Sequence, residues 1–87
     1  MRLKILSNEQ TLSASANTNV NTAVMVYVTN GHATTSHVIT VANGSGTNVG
    51  TVTILPTTGL ILEKERAETL QIDAGTDVKA VSIAYNH

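Results

Sequence analysis

Two histidines with hydroxyl residues next to them are the best candidates for catalytic residues in this sequence. His32 and His37 lie close together, and His37 directly follows Thr35 and Ser36. A hydrolytic triad needs a nucleophile, a base beside it and a third group that orients the base. The two histidines are separated only by small polar residues in a predicted hairpin, with no Asp or Glu near them in the sequence, so a hydroxyl residue beside His37 does not make a motif. We therefore predict no catalytic residue and expect that the chain is not an enzyme.

The same scarcity of ionic residues argues against a metal site. Between Glu9 and Glu63 the chain has no Asp, Glu, Lys or Arg, and it has no Cys at any position. Zinc sites combine Cys, His and carboxylate ligands at short spacings, which His32 and His37 alone do not provide. No metal and no cofactor is predicted.

The remaining polar motifs are interpreted as turns. Asp73 and Asp77 flank a short Gly-containing segment, but calcium needs more oxygen ligands than these two residues supply. The segment 44–46 (Gly-Ser-Gly) is followed by neither a Lys nor a helix, so it does not match a phosphate-binding loop. Asn43 begins a formal glycosylation sequon, which a chain without a secretory leader would not use. The terminal His87 is expected to be solvated.

Length and composition predict one small domain, residues 1–87, that needs support from other subunits. A domain of this size buries only about two-thirds of the surface that its unfolded chain exposes. Its interior must be built from Val, Ile, Leu and Ala, because the 87 residues include no Phe, Trp or Cys. A thin core without disulfides predicts a homo-oligomer or a multi-copy assembly.

Charge and hydropathy exclude several partners and locations. A net charge of −1 is unsuited to binding nucleic acid, which requires clustered Lys and Arg. No apolar run approaches the roughly 20 residues needed to cross a bilayer, so no membrane partner is predicted. The segment 1–6 has two basic residues but no long apolar core after them, so it does not match a signal peptide. We expect a protein that is made in the cytoplasm and not secreted through a cleaved leader.

Alternation of apolar and polar residues with period two dominates the chain and predicts β-strands. The longest alternating segment, 20–28, is predicted to form a long central strand. The same spacing recurs around Leu3/Ile5, Ile39/Val41, Val52/Ile54, Leu60/Leu62, Leu70/Ile72 and Val81/Ile83. Seven strands are expected, or eight if the segment 11–14 also pairs.

Asn, Gly and Pro mark the breaks between these segments, because Asn and Gly tolerate positive φ. Asn30-Gly31 is the strongest hairpin dipeptide. Further reversals are predicted at 43–46, 56–59 and 74–77. The charged segment 62–70 is interpreted as strand, turn, strand rather than helix, because its apolar stripe is too sparse. Short strands with regular turns predict an all-β protein with a single antiparallel β-sandwich, Ig-like or jelly-roll-like.

The uncharged middle of the chain is the strongest functional signal. Free-standing β proteins guard exposed strand edges with Lys, Pro or inward-pointing charges. From residue 10 to residue 55 this sequence has none of these guards. Either neighbouring subunits cover the edges, or loops of a twisted sandwich protect them.

The second half of the sequence resembles a known group of proteins. The resemblance rests on four segments in order: 50–55 (GTVTIL), 59–64 (GLILEK), 68–72 (ETLQI) and 78–85 (VKAVSIAY). They are similar to small β-rich virion proteins of marine tailed phages, particularly cyanophages. The polar turn and strand at 30–41 also fit. Members of the group have an aromatic residue in their closing strand. This chain has no Phe, and Tyr85 takes that place.

The resemblance implies a capsid decoration or tail accessory role, with binding surfaces and no catalytic residue to transfer. We expect a virion structural protein, made in the host cytoplasm, whose partner is the major capsid protein or another virion subunit. A decoration protein that cements the capsid lattice is the leading hypothesis. A small tail or neck protein is an alternative, as is a receptor- or carbohydrate-binding module, although Tyr27 and Tyr85 are its only rings for stacking on sugars.

Overall fold

Eight β-strands form two antiparallel sheets in the part of the chain that the structure describes. A computed structural model describes the backbone of residues 2–86 and the side chains of residues 4–84. The strands are β1 (Arg2–Ile5), β2 (Gln10–Thr11), β3 (Met25–Asn30), β4 (His37–Ala42), β5 (Asn48–Ile54), β6 (Gly59–Glu63), β7 (Thr69–Ile72) and β8 (Val78–Asn86). The large sheet has the order β1-β8-β3-β6, with β2 also pairing with β8, and the small sheet has the order β5-β4-β7. The predicted all-β sandwich is confirmed.

The core lies between the two sheets and is made of aliphatic side chains. Alternation decides which residues enter it: in β3, Val26 and Val28 are fully buried while Met25 and Tyr27 are partly exposed. The buried cluster consists of Leu12, Val20, Ala23, Val26, Val28, Ile39, Ile54, Leu70, Ile72, Val78 and Ala80. Each such larger side chain contributes about 1.5–3 kcal/mol to stability, so the interior depends on many small contributions.

The strand β8 organises the large sheet. It pairs with β3 along one edge and with both β1 and β2 along the other. The residues 80–83 are all buried, so this part of β8 is covered on both faces. Along the described chain there is no helix long and apolar enough to span a membrane.

The predicted long strand 20–28 is wrong in its first half. The strand begins at Met25, and residues 20–22 instead form a left-handed turn with φ values of 53°, 57° and 55°. The amide of Ala23 donates to the carbonyls of Asn19 and Val20, at 3.3 Å each. Left-handed backbone is costly for β-branched residues, and here the fully buried Val20 side chain offsets part of that cost. Alternation alone did not reveal the reversal.

The predicted hairpin at Asn30-Gly31 is also wrong. This segment connects β3 in the large sheet to β4 in the small sheet. Asn30 is buried, and its side-chain amide donates to the carbonyls of Thr35 (2.9 Å) and Ile54 (3.3 Å). The Asn side chain therefore ties the two sheets together instead of forming a tight turn.

The other predicted connections agree better with the structure. The segment 43–46 forms the β4–β5 hairpin, in which the Asn43 side chain accepts hydrogen bonds from the amides of Ser45 and Thr47. The turns after β5 and β7 carry the chain between the sheets. The segment 62–70 is strand, turn and strand, as predicted.

Gly59 is required because Tyr27 lies across it on the outward face of the large sheet. A Cβ atom at position 59 would lie 2.6 Å from the Tyr27 hydroxyl oxygen and 2.9 Å from its Cζ. Rings commonly cover glycine on a neighbouring strand in this way.

We expect Gly59→Ala to reduce the free energy of unfolding by about 1–2 kcal/mol, because the ring must leave its site. In a Tyr27→Ala background the same substitution should cost little or nothing. Urea unfolding of the two single variants and the double variant measures this coupling. Additive effects would contradict the contact.

Candidate functional site

The outer edge of β5 is a free strand edge without charged residues. Among the strands that the structure describes, β5 pairs only with β4, so the backbone groups along its other side have no strand partner there. Residues 48–53 are exposed except for the partly buried Val52. Two large apolar side chains flank the strand's regular part: Val49 is 60% exposed and Leu55 is 59% exposed. An exposed edge of this kind is a template for pairing with another chain.

The other edge strands of four or more residues in the described structure are either covered or charged. The segment 13–18 covers β7: the amide of Thr18 donates to the Leu70 carbonyl (3.2 Å) and the amide of Leu70 donates to the Thr18 carbonyl (2.8 Å). In the large sheet, β6 ends in Glu63, and β1 contains Lys4. In the described structure β5 is therefore the one edge strand longer than two residues that is neither covered nor charged; β2 is also uncharged but has only two residues.

The outward face of the small sheet is also neutral. We call it the neutral face; its residues are Val38, Thr40, Thr51, Thr53, Thr69 and Gln71, which share a side of the sheet by register. Thr51 and Thr53 are exposed, and the others are partly exposed. Hydroxyl and amide groups can pack against a partner without burying an unpaired charge, which is costly.

A second polar cluster lies where β4 begins, around His37. This side chain is only 5% exposed, and its Nδ1 lies 2.9 Å from Oδ1 of Asp73. Because a carboxylate can only accept, Nδ1 carries the proton and donates. The Nε2 atom is buried without a hydrogen-bond partner, and the nearest carboxylate oxygen, from Asp77, is 4.0 Å away. His32 lies edge-on, with the ring centroids 6.4 Å apart.

No Asp or Glu lies near these histidines in the sequence, but the fold brings the β7–β8 turn, with Asp73 and Asp77, to His37. The resulting Asp73–His37 pair still has no hydroxyl at Nε2, so it lacks the nucleophile of a triad. His32 accepts at Nδ1 from the amides of Thr34 and Thr35, which uses that lone pair locally. In the described part of the chain, no group of three or more potential ligands could hold a metal. Absence of enzyme activity stays a prediction.

His87 lies outside the described residues, as does the side chain of Tyr85. The Asn43 and 44–46 motifs form the β4–β5 turn. Asp73 and Asp77 bracket the β7–β8 turn.

The contact with His37 lowers the pKa of Asp73 below its ordinary value of 3.8, mainly because the ring donates to the carboxylate. We predict that Asp73→Asn reduces the free energy of unfolding by about 1 kcal/mol near neutral pH. The carboxylate's contribution is complete above pH 3.8 and is lost as the pH falls through the lower folded-state pKa. The wild type and the variant should therefore converge in acid.

Urea unfolding at a series of pH values measures this difference. Asp77→Asn is the matched control and should have a smaller effect, because its carboxylate lies beyond hydrogen-bond distance from Nε2. A difference between wild type and Asp73→Asn that persists unchanged in strong acid would contradict the assignment.

A buried lysine stabilises the left-handed turn of residues 20–22, which precedes β3 at the end of the sandwich opposite the His37 cluster. Lys64 is 6% exposed, and its Nζ donates to the carbonyls of Ala23 (2.6 Å) and Glu65 (3.2 Å). Burial lowers the pKa of Lys64, and the nearby Glu68 partly offsets this. The adjoining cleft, beside Arg66, has a volume of about 250 Å³, below the roughly 300–1,000 Å³ of most ligand pockets. We assign Lys64 a structural role.

Lys64→Met should reduce the free energy of unfolding by about 1–3 kcal/mol, because the Ala23 carbonyl loses its donor while the apolar stem is kept. Lys79→Met is the matched control. Its ion pair with Glu9 is exposed and 3.7 Å long, so the change should be within about 0.5 kcal/mol. Chemical denaturation of both variants gives the comparison, and equal effects would contradict the bracing role.

A scan against protein-family models, a search of curated proteins and a search of solved structures each found no significant match to this chain.

Proposed function

We propose that this chain is a structural protein of a phage virion, a decoration subunit that binds the lattice of the major capsid protein through its small sheet. The proposal depends on one observation: strands β4, β5 and β7 contain no Asp, Glu, Lys or Arg, and they present both the neutral face and the free edge. The sequence resemblance to small virion proteins of marine phages supports the location.

A neutral surface suits a subunit that is used in many identical copies. Each contact can be weak, because a symmetric lattice that presents many sites adds them through avidity. The threonine hydroxyls of the neutral face tolerate burial against the lattice, and the backbone groups of the free edge remain available for pairing with another strand. A domain with a thin aliphatic core also gains stability from such contacts, since binding to the folded state favours folding.

The test uses heads assembled from the major capsid protein of the genome that encodes this chain. We expect the purified chain to sediment with the heads in many copies, as gel densitometry would measure. A few copies per particle, recovered only with tails or necks, would contradict decoration and favour the tail accessory role. No binding to any particle would overturn the virion proposal.

A charge placed on the neutral face should weaken head binding. Thr69→Lys adds a cation to this face without altering the free edge, and we expect at least a tenfold loss of affinity, about 1.4 kcal/mol. Thr11→Lys adds the same charge to β2 of the large sheet, where Thr11 is exposed. Equal binding by the two variants would show that the neutral face is not the docking surface.

A further inference from the structure

We infer that the free edge of β5 pairs with β5 of a second copy of this chain, antiparallel and around a two-fold axis at Val52. This inference deepens the proposed function, on whose assembly role it rests, by naming the partner at the edge. The small sheets of two copies would then form one continuous six-stranded sheet, with the order β7-β4-β5 followed by β5-β4-β7 of the other copy.

The geometry of β5 determines where the axis lies. Its regular pairing with β4 runs from Gly50 to Ile54, with a register irregularity between Val41 and Ala42 at one end. At the other end, β5 stops at Ile54, two residues before Pro56. The regular stretch is therefore symmetric about Val52. In two-fold pairing the same segment of both copies forms the interface. An axis at the centre of the regular stretch therefore lets every residue of that stretch pair.

The side chains in this register fit one another. Pairing about Val52 places Thr51 opposite Thr53 of the second copy, and Thr–Thr pairs across strands are favourable. Val49 and Leu55 lie just outside the regular stretch, so this register would bring each towards the other at both ends. These residues are 60% and 59% exposed in the single chain, and each would lose its exposure against the other.

The absence of charge specifically favours a second copy. Around this axis a charge at position 52 would face its own copy, and a charge at 51 or 53 would lie diagonally across from its own copy, so like charges would approach each other, which is destabilising. The chain has no Asp, Glu, Lys or Arg between Glu9 and Glu63, a range that includes the whole of β5 and its flanking turns. The edges that do carry charge, on β1 and β6, are unsuited to pairing with themselves.

Charge variants test the pairing. The wild type should sediment at twice the chain mass of 9.1 kDa, and Thr51→Lys/Thr53→Lys should weaken the dimer at least about tenfold by placing like charges opposite. Thr51→Lys/Thr53→Glu should restore it, because each Lys then faces a Glu. The control Thr11→Lys/Thr76→Lys adds the same charge at exposed positions away from β5 and should leave the dimer intact.

Single cysteines test the register, because the natural chain has none. Thr51→Cys and Thr53→Cys should each form little disulfide alone, whereas an equal mixture should form the crosslinked heterodimer under mild oxidation. Crosslinking no faster in the mixture than in either variant alone would overturn the register, even if the charge variants were poorly folded.

The outcomes separate this inference from the proposed function. A chain that stays monomeric at every concentration yet binds heads would refute self-pairing and leave decoration standing. A dimer with the expected crosslinks that binds no particle would support self-pairing and refute the virion role.

Discussion

Antiparallel pairing along β8 is the interaction on which the rest of the structure depends. This strand joins β3 to β1 and β2, and its segment 80–83 is covered on both faces. Because that pairing determines which side chains of the large sheet point inward, Val26 and Val28 of β3 face the small sheet. The small sheet contributes Ile39 and Leu70 from the other side. Without aromatic rings in this interior, correct strand register has to bring many small side chains into contact.

The two ends of the sandwich are closed by different chemistry. At the His37 end, a carboxylate from the β7–β8 turn accepts from the ring, and the Asn30 amide joins segments of both sheets. At the other end, Lys64 donates to the Ala23 carbonyl and holds a left-handed turn of residues 20–22. Both ends use buried polar groups to position loops, which a small aliphatic core cannot do alone.

Much of the fold is predictable from alternation, and the failures have clear physical causes. Period two located seven strands, because one face of each must be apolar. It failed at residues 20–22, where a non-glycine segment takes positive φ through tertiary contacts that no local pattern records. The Asn30-Gly31 pattern predicts a hairpin, whereas the Asn30 amide in fact donates to a carbonyl of the β3–β4 connection and to one of β5. The Asp73–His37 pair escaped prediction since 36 positions separate its members. The uncharged β5 was visible in the sequence, but its place at an edge required the topology.

The segment 13–18 limits what the small sheet can become. By bonding to Leu70 and Ile72 it occupies the far side of β7, so only one side of this sheet accepts another strand. A strand from another chain can therefore be added to the small sheet only once, at β5, and growth into an endless cross-β ribbon is blocked. A few residues of irregular chain thus separate controlled association from fibril growth in a protein that leaves one strand unprotected.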